Sequence, residues 1–193
     1  MPGEIVGILL AAGQGSRFGS DKLLHSLPDG TPLAVAAARN LCLACNRVIA
    51  ILRPGSDFLA GLLSAAGCET VICPDAESGM GYSLAAGVKA SPSAAGWLVA
   101  LADMPFIAPA SHQAVAASLR AGASLAAGAY QGRRGHPVGF AGRWFEQLAA
   151  LTGDQGGKSI LEAHRQELTL CPVDDPGVLR DIDRPADLSD GLT

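Results

Sequence analysis

Short apolar runs alternate with longer segments of helical periodicity along the whole chain. Strands are predicted at Ile5–Leu10, Arg47–Leu52, Glu69–Cys73, Gly96–Ala102, Ser124–Tyr130, Pro137–Phe140 and Leu168–Pro172. Helices are predicted at Leu33–Leu43, Asp57–Ala66, Tyr82–Ala90, Pro109–Ala121, Arg143–Leu151 and Lys158–His164. Ser56 is placed to cap the second helix, Gly67 to end it, and Pro109 to open the fourth. Unbroken apolar strands such as Trp97-Leu-Val-Ala-Leu-Ala102 imply burial on both faces, as in a parallel sheet. Right-handed crossovers then give a three-layer α/β/α sandwich. The segment Gln131-Gly-Arg-Arg-Gly135 suits a five-residue hairpin turn, so the expected sheet is mixed and mostly parallel.

Length and composition narrow the reading further. The 193 residues suffice for one domain (1–193), and no linker or internal repeat divides them. Apolar residues make up 49% and charged residues 17%, which excludes a disordered chain. A net charge of −4 without any basic run gives no electrostatic basis for nucleic acid binding. The chain enters its first strand without a signal-peptide pattern, and no apolar run reaches 18 residues. The expected location is therefore cytoplasmic, with no membrane partner. Five scattered cysteines, including the CxxC pair Cys42 and Cys45, read as ordinary reduced thiols because a structural zinc site needs four ligands.

The most chemical stretch follows the first strand. Gly13, Gly15 and Gly19 are interleaved with Arg17 and Lys22. Glycines let backbone N–H groups approach a phosphate, and the two cations answer triphosphate charge. The spacing Gly13-x-Gly15-x-x-x-Gly19 departs from the dinucleotide fingerprint, and the second strand ends near Arg53 instead of an acid. An arginine there suits the 2′-phosphate of NADP, which keeps a reductase as a rival. Gly156-Gly-Lys-Ser159 fails as a P-loop because Thr152 stands where a glycine is required. Asp103 closes an apolar strand, where an acid serves either a turn or a Mg²⁺ ion. In Asp181-Ile182-Asp183, strand alternation puts both carboxylates on one side and Ile182 on the other. The loops Ala11–Lys22, Pro74–Ser83 and Asp103–Pro105 all fall at the carboxyl edge of the predicted sheet, where open α/β sheets bind ligands.

These residues resemble the molybdenum cofactor cytidylyltransferases within the MobA-like nucleotidyltransferases. The likeness rests on Leu-Ala-Ala-Gly-x-Gly-x-Arg-x-Gly-x-x-Lys, Pro74-Asp75…Gly79-Met80…Ser83-Leu84 and Ala-Asp-Met-Pro. It continues in Arg134-Gly-His-Pro137, Gly153-Asp-x-Gly156 and Asp-Ile-Asp-x-Pro-x-Asp-Leu188. The resemblance implies a nucleotide-diphospho-sugar-transferase-like fold and a Mg²⁺-dependent transfer of CMP from CTP to molybdopterin, with release of pyrophosphate. It implies a nucleotide site of Leu10, Ala11, Ala12, Gly13, Gly15, Asp75, Gly79, Met80 and Ser83, with the Ala12 methyl narrowing the space toward a pyrimidine. Arg17 and Lys22 would hold the triphosphate and, with Asp103, carry catalysis. Asp103 and Asp183 would hold Mg²⁺, with Asp181 as the alternative second ligand, while Arg134 and His136 would face molybdopterin. A recipient molybdoenzyme or its chaperone would be a further partner. The rivals are a guanylyl- or other nucleotidyltransferase with a different phosphorylated acceptor, a non-catalytic molybdopterin carrier, and the NADP-dependent reductase.

Overall fold

Among the described residues, six of seven strands run in one direction, and the chain changes side of the sheet once. The computed structural model describes residues 3–13, 21–183 and 187. Its strands are β1 (Ile5–Leu10), β2 (Arg47–Leu52), β3 (Glu69–Ile72), β4 (Gly96–Leu101), β5 (Leu125–Tyr130), β6 (Arg133–Ala141) and β7 (Leu168–Pro172). The helices are α1 (Leu33–Cys42), α2 (Asp57–Ala65), α3 (Met80–Lys89), α4 (Pro109–Arg120), α5 (Phe145–Ala149) and α6 (Lys158–Ala163). The sheet order is β3-β2-β1-β4-β6-β5-β7, with β6 alone antiparallel to its neighbours. The chain winds outward from β1 through β2 to β3, then returns to lay β4 on the other flank of β1. That reversal opens a crevice beyond the carboxyl ends of β1 and β4.

Alternation along the strands feeds two cores. Leu9, Val48, Ala50, Leu52, Leu98 and Ala100 face α1, α2 and α4. Val6, Ile8, Ile49, Ile51, Trp97, Val99 and Phe140 face α3, α5 and α6. Small residues set the spacing of these layers. A Cβ on Gly87 of α3 would come within 2.9 Å of the Ile8 side chain, so the helix lies directly on β1. The Trp97 indole, wholly buried, donates its N–H to Ser91 Oγ at 2.9 Å, and Ser91 donates in turn to the Gly87 carbonyl at 3.0 Å. Among the described residues no helix is long and apolar enough to cross a membrane.

Two local expectations are corrected. The hairpin between β5 and β6 turns on two residues, not five. Gln131 and Gly132 both take positive φ (48° and 76°), the conformation of a two-residue turn matched to strand twist, so Arg133–Gly135 join β6. Ser56 occupies the position before α2, but its side chain makes no capping hydrogen bond. Gly67 ends α2 as expected, at φ 102°, and Pro109 opens α4.

The C-terminal segment is tied back onto the start of α4. Asp175 accepts from the Ala108 N–H (2.8 Å) and Ser111 Oγ (2.6 Å) through one carboxylate oxygen, and from the Gly177 N–H (2.9 Å) through the other. His112, 1% exposed on the next turn of α4, has an Nδ1 without a partner among the described residues. Burial brings its pKa down to about 4, against a smaller opposing pull from Asp175. The unfolded chain therefore binds a proton that the folded one refuses, and stability falls as pH drops from about 6.5 toward 4. Between pH 7 and about 4.5 this histidine is expected to remove about 2–3 kcal/mol of unfolding free energy. Urea titrations should show that loss reduced in His112→Leu; an equal loss in the variant would assign it elsewhere.

Candidate active site

The crevice at the chain reversal contains a cavity of about 470 Å³. Leu10, Ala12 and Gly13 from the end of β1, and Leu101 and Asp103 from the end of β4, form its floor. Ala76, Glu77, Gly79, Met80 and Ser83 form one wall, while Lys22, Leu23 and Asp154 complete the rim. The first residues past β1 are fixed by their backbone: the Ala11 N–H donates to the Ile51 carbonyl at 2.9 Å, extending the β1–β2 ladder. Across the cavity, Gly79 has φ 135°, and a Cβ there would lie 2.2 Å from the Gly153 carbonyl carbon. The Gly81 N–H donates to the Gly153 carbonyl at 2.7 Å. This close approach fixes the loop between α5 and α6 and carries Asp154 to the rim.

The electrostatic centre is Lys22. Its ammonium lies 2.9 Å from Asp103 Oδ2 and 3.2 Å from Asp183 Oδ1, and its side chain is only 10% exposed. Burial opposes the charge, but hydrogen bonds and attraction from Asp103, and then from Asp183, outweigh it and hold the ammonium above the ordinary lysine range. Asp103 Oδ1 is buried and has no partner among the described residues. The Asp103 loop is held on three sides. The Ile182 N–H donates to the Asp103 carbonyl at 2.9 Å, and the Met104 N–H donates to Leu101 at 3.2 Å. Asn40 of α1 donates to the carbonyls of Pro105 and Ile107, at 3.1 and 3.0 Å. Ile182 is wholly buried beside Leu33, whereas Asp181 and Asp183 are exposed, as strand alternation requires. Burial, assisted by the neighbouring carboxylates of Asp183 and Asp103, raises the pKa of Asp181.

Of the residues expected in the site, the structure gathers Leu10, Ala12, Gly13, Lys22, Gly79, Met80, Ser83 and Asp103 on the cavity, with Asp183 on Lys22. Gly15 and Arg17 lie outside the described residues. Two expected residues stand apart from the cavity lining: Ala11 packs in the core shared with α1 and α2, and Asp75 precedes the turn that lines the wall. Strand alternation buries the first, and the short turn Ala76–Ser78 presents Ala76 and Glu77 in place of the second.

Arg134 and His136 part company. Arg134 is exposed and lines a second cavity of about 620 Å³ with Arg165, Glu162 and Leu170. His136 lies close enough to Asp103 to feel its charge, and its buried Nδ1 has no partner among the described residues. Burial holds its pKa below the usual histidine value. Arg53, which the sequence suggested for a 2′-phosphate, instead reaches the Gly13 carbonyl at 3.3 Å and lies 3.7 Å from Asp21. It braces both ends of the glycine-rich loop. Its place at the end of β2, beside the chain reversal, was the signal available for that role.

The fold agrees with comparison to known proteins. The sequence pattern of the MobA-like NTP transferase domain matches residues 7–168. The purine catabolism protein PucB of Bacillus subtilis is 27% identical over 191 residues, covering 94% of this chain and 92% of that protein. The nicotine blue oxidoreductase of Paenarthrobacter nicotinovorans is 29% identical over 188 residues, covering 93% and 92%. Among solved structures, Rv0371c of Mycobacterium tuberculosis superposes with a TM-score of 0.82 at 28% identity, over 97% of this chain and 96% of that one. A crystal structure of the same Rv0371c protein in complex with manganese gives a TM-score of 0.78 at 25% identity, over 95% of both chains. With most of its length matched and its fold shared, the chain belongs to the MobA-like NTP transferase family.

Proposed function

We propose that the chain transfers CMP from CTP to the terminal phosphate of molybdopterin, releasing pyrophosphate, as one cytoplasmic domain spanning residues 1–193. The observation that carries this reading is the meeting of Lys22, Asp103 and Asp183 at the mouth of a cavity sized for a nucleoside. In this reading the base enters between Ala12 and the Gly79–Ser83 wall, where the Ala12 methyl favours a pyrimidine. Lys22 holds the triphosphate, assisted by Arg17 and the backbone of Gly13 and Gly15. Arg134 and His136 serve the acceptor side, and a molybdoenzyme or its chaperone receives the product.

The residues present fit a divalent ion such as Mg²⁺. Asp103 Oδ2 and Asp183 Oδ1 converge on one cation, the Lys22 ammonium, while buried Asp103 Oδ1 has an unused acceptor position. Hard carboxylate oxygens completed by substrate phosphates are the donor set such ions take. The manganese complex of Rv0371c is consistent with that assignment. Bound there, the ion would neutralise phosphate charge and polarise the α-phosphoryl group.

The acceptor phosphate is already an anion, so no deeply tuned base is needed. One of its oxygens attacks the α-phosphorus, a new P–O bond forms, and the bond to the β-phosphate bridging oxygen breaks. The chain's own part is to hold two anions in line and to answer the charge that develops on pyrophosphate. Lys22 supplies the charge, and the braced Asp103 loop supplies the position.

A second reading, an NADP-dependent reductase, draws support from the similarity to a protein named as a nicotine blue oxidoreductase. Pyrophosphate release separates the two. With Mg²⁺, sustained release is expected from CTP plus molybdopterin, and not from GTP, ATP or any nucleotide alone. Equal rates with GTP would overturn the base assignment, while NADPH oxidation without pyrophosphate would favour the reductase. Asp103→Asn is expected to lower kcat by about 10²–10³, the scale of losing one preorganised charge contact. Unchanged turnover in the folded variant, its fold checked by circular dichroism, would remove Asp103 from the chemistry.

A further inference from the structure

Cys42 is the last residue of α1, and Cys68 follows the glycine that ends α2 and directly precedes β3. Both lie at the amino-terminal edge of the sheet, opposite the nucleotide cavity. Their sulfurs are 4.0 Å apart across 26 positions of sequence. Cys45, which shares a CxxC spacing with Cys42, is buried, and burial pushes its thiol up to about 12. Cys42 is partly exposed, whereas Cys68 is buried. We propose that Cys42 and Cys68 are a modification site: a thiol pair that a peroxide oxidises to an intramolecular disulfide, remote from the nucleotide site.

The two sulfurs divide the chemistry by exposure. The hydrogen bond between the two sulfurs draws Cys42 down to about 7 and, with burial, holds Cys68 protonated, well above a free thiol. The Cys42 thiolate attacks one oxygen of hydrogen peroxide, the O–O bond breaks, and hydroxide leaves to take up a proton. Cys42 is then a sulfenic acid. The Cys68 sulfur attacks it, losing its proton; the S–O bond breaks, water leaves, and the S–S bond forms. Two thiols and one peroxide thus give one disulfide and two waters. The sulfurs, 4.0 Å apart, must close by about 2 Å to reach S–S bond length, and both residues stand at element ends, outside strand and helix interiors.

The test uses the full-length reduced protein, treated with hydrogen peroxide and then alkylated and mapped by mass spectrometry. The expected result is loss of two of the five thiols and a Cys42–Cys68 linked peptide that dithiothreitol reverses. Cys45→Ser should form the same link. Cys68→Ser should stop at a Cys42 sulfenic acid trapped by dimedone. A Cys42–Cys45 link, or full alkylation of Cys42 and Cys68 after peroxide, would overturn the proposal. So would dimedone trapping of Cys42 in wild type without any link.

Discussion

An ammonium group nine-tenths removed from water must have its charge answered, and for Lys22 the answer comes from residues 81 and 161 positions away. Taking a charge out of water costs several kcal/mol, and only good geometry with further hydrogen bonds offsets it. Asp103 and Asp183 supply that geometry because each is held by backbone as well as by charge. The Ile182 N–H donates to the Asp103 carbonyl, and the buried Ile182 side chain anchors the segment that carries Asp183. Three distant parts of the chain therefore close on one point. A buried ion pair of this kind adds little net stability, but removing one member leaves the others unanswered. Its value lies in fixing where charge sits.

That point coincides with the place where the sheet reverses its winding. The turn after β1 and the turn after β4 leave neighbouring parallel strands in the same direction, so both emerge at one crevice. Helix α1 takes part in holding them. Its Asn40 holds the Asp103 loop, while Leu33 at its start packs on Ile182. Arg53 performs the corresponding task for the glycine-rich loop by gripping Gly13 and facing Asp21. The scaffold thus brings Gly13, Lys22 and Asp103 to one cavity, with Asp183 held on Lys22.

Most of the fold was legible because buried parallel strands have few alternatives. Runs such as Ile5–Leu10 and Gly96–Leu101 are apolar on both faces, and the residues between them fit single helices. The tight hairpin was not legible, since Gly132 marks only its second position and Gln131, a residue that rarely takes positive φ, occupies the first. In the candidate site, Lys22, Asp103 and Asp183 could be named from residue type and position, but not their mutual contact, which depends on Ile182 pairing with the Asp103 backbone. Glu77 and Asp154 were missed as cavity residues because their loops are placed by contacts far along the chain, notably the Gly79–Gly153 approach. The Cys42–Cys68 pair was equally invisible. Its spacing matches no motif and exists only because α1 and α2 end side by side.

If the two carboxylates form a cation site, the lysine between them competes for it in the absence of nucleotide. Manganese binding to the free chain, followed by electron paramagnetic resonance, measures that competition directly. Lys22→Met should bind Mn²⁺ about tenfold more tightly than wild type, equivalent to about 1.4 kcal/mol, and adding Asp103→Asn should abolish the gain. Binding in Lys22→Met no tighter than in wild type would contradict the account at its centre.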